Sequence, residues 1–312
     1  MAHDSLVRPP AADRLHATCP VCDSDVPELR LVLRDHQSDE TFAAVTCGTC
    51  GAVYLEDPPT PEAIGRYYDT PAGAQMHTKP GPLFTAMRDR RFAKDLEPLL
   101  TRLNPDAPIA DLGTGDGSVA EHLHRHGRAS LGLDVYDPSA WRHPDVPYRQ
   151  ISFAGPGLSA EDLAVAGTQA RGAVMRHVLE HVHRPADVLA SLRAGGVTHV
   201  LIIVPNIGSR LVGPLGSSWY YWDPPRHLTF FTADTLRRCA ARAGFRVAAL
   251  DTYGLDELAT SAHRALLLRG GARAHKIARA LRPTGPIAGA ASVLQGPVGD
   301  TVLHAVLVAD DR

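Results

Sequence analysis

The 312-residue chain contains no run of 18 apolar residues, so no transmembrane helix is expected. Its start, Met1 to Arg8, lacks the long apolar core of a secretory signal, and a soluble cytoplasmic protein is expected. Charge of one sign is also missing. The formal net charge is −2, which gives no global attraction to nucleic acid or to an anionic membrane. Lysine is scarce, with only Lys79, Lys94 and Lys276, and the remaining cations are arginine. Together with abundant alanine, that reads as coding bias rather than function. There is no internal repeat and no low-complexity tract. What remains is an ordinary globular composition, 44% hydrophobic and 21% charged. The length suits two domains, or one large domain with an appendage.

Cysteine is sparse but ordered. Four of the five cysteines form two pairs, Cys19-Pro-Val-Cys22 and Cys47-Gly-Thr-Cys50. Two such knuckles supply the four ligands of a tetrahedral zinc, and Gly48 and Gly51 ease the second turn. Two disulfides would use the same residues, but the missing secretory signal disfavours them. A closed four-thiolate site leaves no position for substrate, so this zinc is expected to be structural. Leu29–Leu33 and Phe42–Val45 are expected to pair as a hairpin between the knuckles. Cys239 stands alone in a helical pattern and reads as a small buried apolar residue.

The organisation follows from punctuation and periodicity. Residues 1–15 read as a disordered lead, 16–57 as the zinc-ribbon segment, and 58–104 as a helical linker with a Gly/Pro-rich lid at 70–82. From 105 to 312 short apolar runs alternate with helices. Strands are expected at 109–112, 129–135, 148–153, 172–177 and 197–204, with final strands at 245–253 and 301–309. Helices are expected at 118–126, 159–166, 185–193 and 233–243, with a helical insertion at 256–295. Such alternation implies an α/β fold with a mostly parallel sheet covered on both faces. His122, His124 and His126 read as a solvated helix face.

The first strand runs into Asp111-Leu-Gly-Thr-Gly-Asp-Gly117, where Gly113 and Gly115 permit a sharp turn and close approach to a ligand. Asp134, ending the second strand, is placed to accept both hydroxyls of a ribose. A dinucleotide site wants G-x-G-x-x-G, but the third glycine comes one position early and Ser118 stands where that motif needs glycine. Asp111, directly before the loop, would repel a pyrophosphate and suits an ammonium group. S-adenosylmethionine carries an ammonium, a sulfonium and a ribose, and no phosphate.

These residues, with His177-Val-Leu-Glu-His181, resemble the successive motifs of class I S-adenosylmethionine-dependent methyltransferases. The ribbon resembles one that precedes such domains in bacterial enzymes, some of them sugar or natural-product methyltransferases. The resemblance implies a Rossmann-like, seven-stranded sheet whose last strand is antiparallel. It implies that Asp111, Gly113, Thr114, Gly115 and Asp134 hold the cofactor, with Arg176 and His177 bordering the reacting centre. Phe153, just after the third strand, is placed either on the adenine or in the core. His177-x-x-Glu180-His181 is not H-E-x-x-H, and at a strand end its side chains are not expected to converge on a metal.

Residues 205–232 are too long for an idle connection. This loop holds Trp219-Tyr-Tyr-Trp222 and then Asp223-Pro-Pro-Arg-His227. Methyl transfer needs an aligned nucleophile, exclusion of water and, where the acceptor must lose a proton, a group to take it. His227 is the expected general base, because imidazole titrates near working pH. The resemblance to sugar C-methyltransferases implies Tyr221 as its neighbour. A competing reading has the aromatics latch the loop to the core while His227 bonds a backbone group. The expected function is methylation of a small hydroxylated or sugar-like acceptor. An RNA methyltransferase is the alternative, disfavoured by Asp23, Asp25, Glu28, Asp35, Asp39 and Glu40 in the ribbon. A non-catalytic binding or scaffold protein is the third.

Overall fold

A computed structural model describes residues 13–35, 37–68, 82–153, 157–254, 261 and 299–310. Almost all of the expected insertion at 256–295 and of the 70–82 segment, and most of the N-terminal lead, lie outside the described residues. In chain order the ribbon contributes β1 (Pro27–Arg34), β2 (Thr41–Cys47) and β3 (Val53–Leu55). Helix α1 (Pro82–Leu100) precedes β4 (Ile109–Leu112), α2 (Ser118–Arg125), β5 (Ser130–Asp134) and β6 (Tyr148–Gln150). Then come a two-strand hairpin, β7 (Ala164–Val165) and β8 (Thr168–Gln169), followed by β9 (Gly172–Arg176), α3 (Pro185–Ala194) and β10 (His199–Pro205). The long loop carries α4 (Val212–Leu215) and β11 (Thr229–Phe230), and α5 (Ala233–Arg242), β12 (Phe245–Tyr253) and β13 (Val302–Ala309) close the chain.

The main sheet has seven strands in the order β12-β13-β10-β9-β4-β5-β6. Strands β10, β9, β4, β5 and β6 pair in parallel, while β13 runs antiparallel to both β10 and β12. This is the Rossmann-like class I arrangement, with its late antiparallel strand. Its strands read as nearly continuous apolar runs because both faces are covered. The pleat divides them between two cores. Ala110, Leu112, Ala173, Met175, Ile202 and Val204 pack with α3 and α5, whereas Ile109, Val174, Leu201 and Ile203 pack with α1 and α2.

The ribbon strands and β11 form a second sheet, ordered β1-β2-β3-β11. Val53 pairs with Phe230 and Tyr54 with Thr229, so the aromatic loop completes the ribbon sheet. Cys19, Val21, Cys47 and Tyr54 share the apolar core of α3 and α5, and Phe42 and Leu55 share that of α1 and α2. The ribbon therefore shares its apolar packing with the main sheet. Two local expectations also change. Residues 160–163 form turns leading into the β7–β8 hairpin, whose Ala166 and Gly167 both take positive φ, incompatible with the helix expected at 159–166. His122 is buried, its ring 5.7 Å from that of Phe92, while His124 and His126 remain exposed.

Candidate active site

The crevice at the carboxyl ends of β4, β5 and β9 is where the strand order reverses, the ligand-binding position of open α/β sheets. Gly113 and Gly115 have φ of +63° and +55°, the left-handed region that favours glycine. A Cβ on Gly113 would lie 2.4 Å from Val178 Cγ2. That glycine therefore admits Val178 rather than a ligand, and it seats residues 177–181 directly on the glycine loop. Asp134 Oδ2 accepts a hydrogen bond from Gly115 N at 2.7 Å, and its Oδ1 accepts one from Val135 N at 2.7 Å. Thr114 Oγ1 donates to Asp111 Oδ2 at 2.6 Å. Both aspartates are buried. Burial raises the carboxyl pKa of Asp134 and pushes that of Asp111 up to about 7, with the nearby Asp134 charge adding to the latter. Arg176, half-buried, has its guanidinium carbon 5.7 Å from the Phe92 ring centroid and Nε 3.9 Å from Asp95.

The HVLEH stretch folds differently from its sequence reading. After β9, His177 adopts φ of +54° and residues Leu179–His181 form a single 3-10 turn. Leu228 N donates to Glu180 O at 2.7 Å, and the imidazole Nδ1 of His181 lies 2.9 Å from Arg226 O. These two bonds zip the turn against the segment before β11. As a result Glu180, His181 and His227 converge, with one ligand-type atom from each within 4.8 Å of the others. Convergence, dismissed on the sequence, is thus achieved through His227 rather than His177. Both oxygens of Glu180, a residue only 1% exposed, lack a hydrogen-bond partner among the described residues. His177 Nδ1 stands 3.4 Å from Oε1, within ion-pair reach. Burial works to raise the Glu180 pKa, but the neighbouring imidazoles of His177, His181 and His227 hold it down at about 2. Burial, and then the charge of His227, lower His181 to about 4. At neutral pH the carboxylate is ionised and His181 is neutral.

His227 Nδ1 lies 2.8 Å from Tyr221 O, so this imidazole does bond a backbone group, as the competing reading requires. Trp219 and Trp222 are buried in the core, so the aromatics do latch the loop. The latch also places the loop's polar groups. The Tyr221 ring lies nearly parallel to those of His177 and His227, at centroid distances of 6.3 and 6.5 Å. Phe153 is half-buried, packs against the α3 core, and lines a cavity of about 710 Å³ between the ribbon and α3 with Tyr54, His183 and Asp187. None of the glycine-loop residues lines that cavity.

Arg226 was not singled out in the sequence. Its guanidinium donates from Nε and Nη2 to Asp223 at 2.9 and 2.6 Å, and from Nη2 to Asp35 Oδ1 at 2.9 Å. Asp35, at the end of the ribbon hairpin, is fully buried, and Ser38 supplies two further hydrogen bonds. Burial alone would raise the Asp35 pKa, yet the bonds from Arg226 and Ser38 hold it below the usual carboxylate range. The ribbon is thereby tied to the residue next to His227. Other ribbon acids are also engaged: Asp23 with Arg184 and Arg242, Asp39 with Arg34, and Glu40 with Arg14. The acidity counted from the sequence is partly consumed inside the molecule.

The two cysteine knuckles are built alike. Cys19 N donates to Ser24 O and Asp23 N to Cys19 O, matched by Cys47 N to Ala52 O and Gly51 N to Cys47 O. Asp23 and Gly51 take the same left-handed position. The four sulfurs converge, with Cys19–Cys50 and Cys22–Cys47 separations of 3.5 and 3.6 Å. A tetrahedron with Zn–S near 2.3 Å requires about 3.8 Å between sulfurs, so the cage fits zinc.

A family model described as a methyltransferase domain matches residues 84–250. No curated protein matches the chain. Among solved structures, the chain is similar to 1,6-didemethyltoxoflavin-N1-methyltransferase from Burkholderia thailandensis, bound to 1,6-didemethyltoxoflavin and S-adenosylhomocysteine. Identity is 14%, the TM-score is 0.49, and the match covers 92% of this chain and 100% of that one. Magnesium protoporphyrin IX methyltransferase from Synechocystis, with bound S-adenosylhomocysteine, matches at 11% identity and TM-score 0.47, covering 79% and 99%. An Archaeoglobus fulgidus S-adenosylmethionine-dependent methyltransferase matches at 15% and 0.45, covering 70% and 94%.

Proposed function

The chain belongs to the methyltransferase-domain family, and from that premise we propose that this S-adenosylmethionine-dependent methyltransferase acts on a small hydroxylated or sugar-like acceptor. The observation that carries the reading is the pair of buried carboxylates, Asp111 and Asp134, on either side of the Gly113–Gly115 turn. Two acids there oppose a phosphate and complement an ammonium and a ribose. Asp134 binds the ribose hydroxyls, Asp111 and the backbone at 113–115 face the methionyl part, and Arg176 borders the sulfonium. When bound, the cofactor supplies the activated methyl group. The acceptor's proton leaves within the cluster of Glu180, His181 and His227 with His177 beside it, and Tyr221 walls the site.

Asp134→Ala is expected to weaken S-adenosylhomocysteine binding by about 1–3 kcal/mol, through lost charge-assisted hydrogen bonds. Calorimetry finding unchanged affinity in a folded variant would remove Asp134 from the site. Asp111 gives a pH signature. Its carboxyl is neutral below about 7, and an ammonium-bearing ligand favours the ionised form against Asp134, with Thr114 and Arg176 as its other polar neighbours. Affinity should therefore rise with pH up to about 7 and then level off, with a limiting slope of about tenfold per pH unit below that. Asp111→Asn should flatten the curve; a flat wild-type curve would contradict the assignment.

Zinc in the four-cysteine cage is structural in this reading, and the shared core extends its reach. Chelation should lower the melting temperature and loosen the β3–β11 pairing together, because metal binding and folding are coupled. Elemental analysis and thermal melts check this, and a metal-free preparation melting like the wild type would contradict it. The acceptor class is tested by transfer of labelled methyl groups to hydroxylated small molecules and to RNA in parallel. Label recovered only in RNA would replace the small-acceptor reading with the alternative one.

A further inference from the structure

The cluster of Glu180, His181 and His227 has an unusual chemical balance. His181 Nδ1 faces the Arg226 carbonyl and His227 Nδ1 faces the Tyr221 carbonyl, at 2.9 and 2.8 Å. A carbonyl only accepts, so each Nδ1 carries the hydrogen and each Nε2 is left with a lone pair. Tyr68 OH, 3.0 Å from His181 Nδ1, lies on the same, already occupied side of that ring. Glu180 adds a buried carboxylate with neither oxygen hydrogen-bonded among the described residues. Glu180 thus stands within 4.8 Å of a ring nitrogen of each imidazole, and its nearest donor, His177 Nδ1, is 3.4 Å from Oε1. Buried acceptors of this kind are costly unless a cation is shared among them.

We propose that Glu180, His181 and His227 form a second metal site, which takes a divalent transition ion and offers it to the acceptor. This rests on the methyltransferase reading above and sharpens it. Two imidazoles and one carboxylate are ligands for borderline ions such as zinc, iron, cobalt or nickel, and not for magnesium or calcium. Their atoms lie within 4.8 Å of one another. Tetrahedral ligands about 2.0–2.2 Å from a shared ion are about 3.3–3.6 Å apart, so binding needs a contraction of at most about 1.5 Å. The carbonyls of Tyr221 and Arg226 are the partners that orient the two imidazoles. The distinction from the cysteine cage is functional. Four thiolates close a coordination sphere, whereas three protein ligands leave a position open for an oxygen of the acceptor. A hydroxyl bound there becomes a better nucleophile, because the ion makes its proton easier to lose. His177, about one-third exposed and outside the ligand set, is the base nearest to receive that proton. His227 then serves as a ligand in place of the free base expected from the sequence.

The test is a titration of the zinc-loaded full-length chain with cobalt(II), read by visible absorption and elemental analysis. The wild type should bind one further equivalent with d–d bands and no thiolate charge-transfer band. Glu180→Gln and His181→Gln should lose that equivalent, weakening cobalt binding by more than the roughly 10–100-fold typical of outer-sphere changes. Both should keep the ribbon zinc and S-adenosylhomocysteine binding. A wild type that takes up cobalt only in the cysteine cage overturns the proposal, as does a Glu180→Gln variant with unchanged cobalt affinity. If S-adenosylhomocysteine still binds in that case, the methyltransferase reading stands and only the metal site fails.

Discussion

His227→Ala should reduce turnover by roughly 10²–10⁴-fold, the scale on which loss of a proton-handling group acts, while leaving S-adenosylhomocysteine affinity nearly unchanged. The separation follows from the fold. Asp111, the glycine turn and Asp134 belong to β4, β5 and the turn between β4 and α2, whereas His227 is delivered by the loop after β10 and held by the Tyr221 carbonyl. Removing the imidazole takes away one of the three converging side chains without touching Asp111, the glycine turn or Asp134. Single-turnover rates and calorimetry on the same preparation check both halves. A variant with wild-type turnover would take His227 out of the chemistry. A variant losing cofactor affinity and thermal stability together would reduce His227 to a structural strut.

Arg226→Ala should be the most destabilising single change in the site, costing about 3–5 kcal/mol in denaturant unfolding, because it strands buried charge. Asp35 is fully buried and Asp223 about one-fifth exposed, and both lean on the one guanidinium. The loss should be largely recovered in Asp35→Leu/Arg226→Met, which replaces the pair by apolar groups of similar bulk. Loss below 1 kcal/mol in the single variant would contradict the bridge. Because Arg226 joins the ribbon hairpin to the residue beside His227, surviving Arg226→Ala molecules should also show depressed turnover at normal cofactor affinity.

The sheet was legible because its signals are local. Apolar runs of four to eight residues separated by helical periodicity place β4, β9 and β10 within one or two residues of where they lie. The glycine turn, Asp134 and the cysteine knuckles were legible for the same reason: each is a short motif with a fixed geometry. What escaped depends on pairings distant in sequence. Nothing in Val53–Leu55 states that its partner is Thr229–Phe230, yet that pairing ties the ribbon to the loop that carries His227. The HVLEH stretch was read as a strand end with divergent side chains. The backbone bond from Leu228 to Glu180 O makes it a tight turn and brings two of its residues to His227. His122 was read with His124 and His126 as one solvated helix face, but α1 lies over that turn and covers it with Phe92. Asp35 looked like one of several surface acids until its arginine, 191 residues away, closed on it.

Calorimetric titration of S-adenosylhomocysteine into the folded wild-type chain tests the central claim most directly, since every step proposed for the acceptor presupposes that cofactor at Asp111 and Asp134. One saturable site per chain is expected, still filled in His227→Ala. A folded wild-type chain that shows no saturable binding would contradict the account.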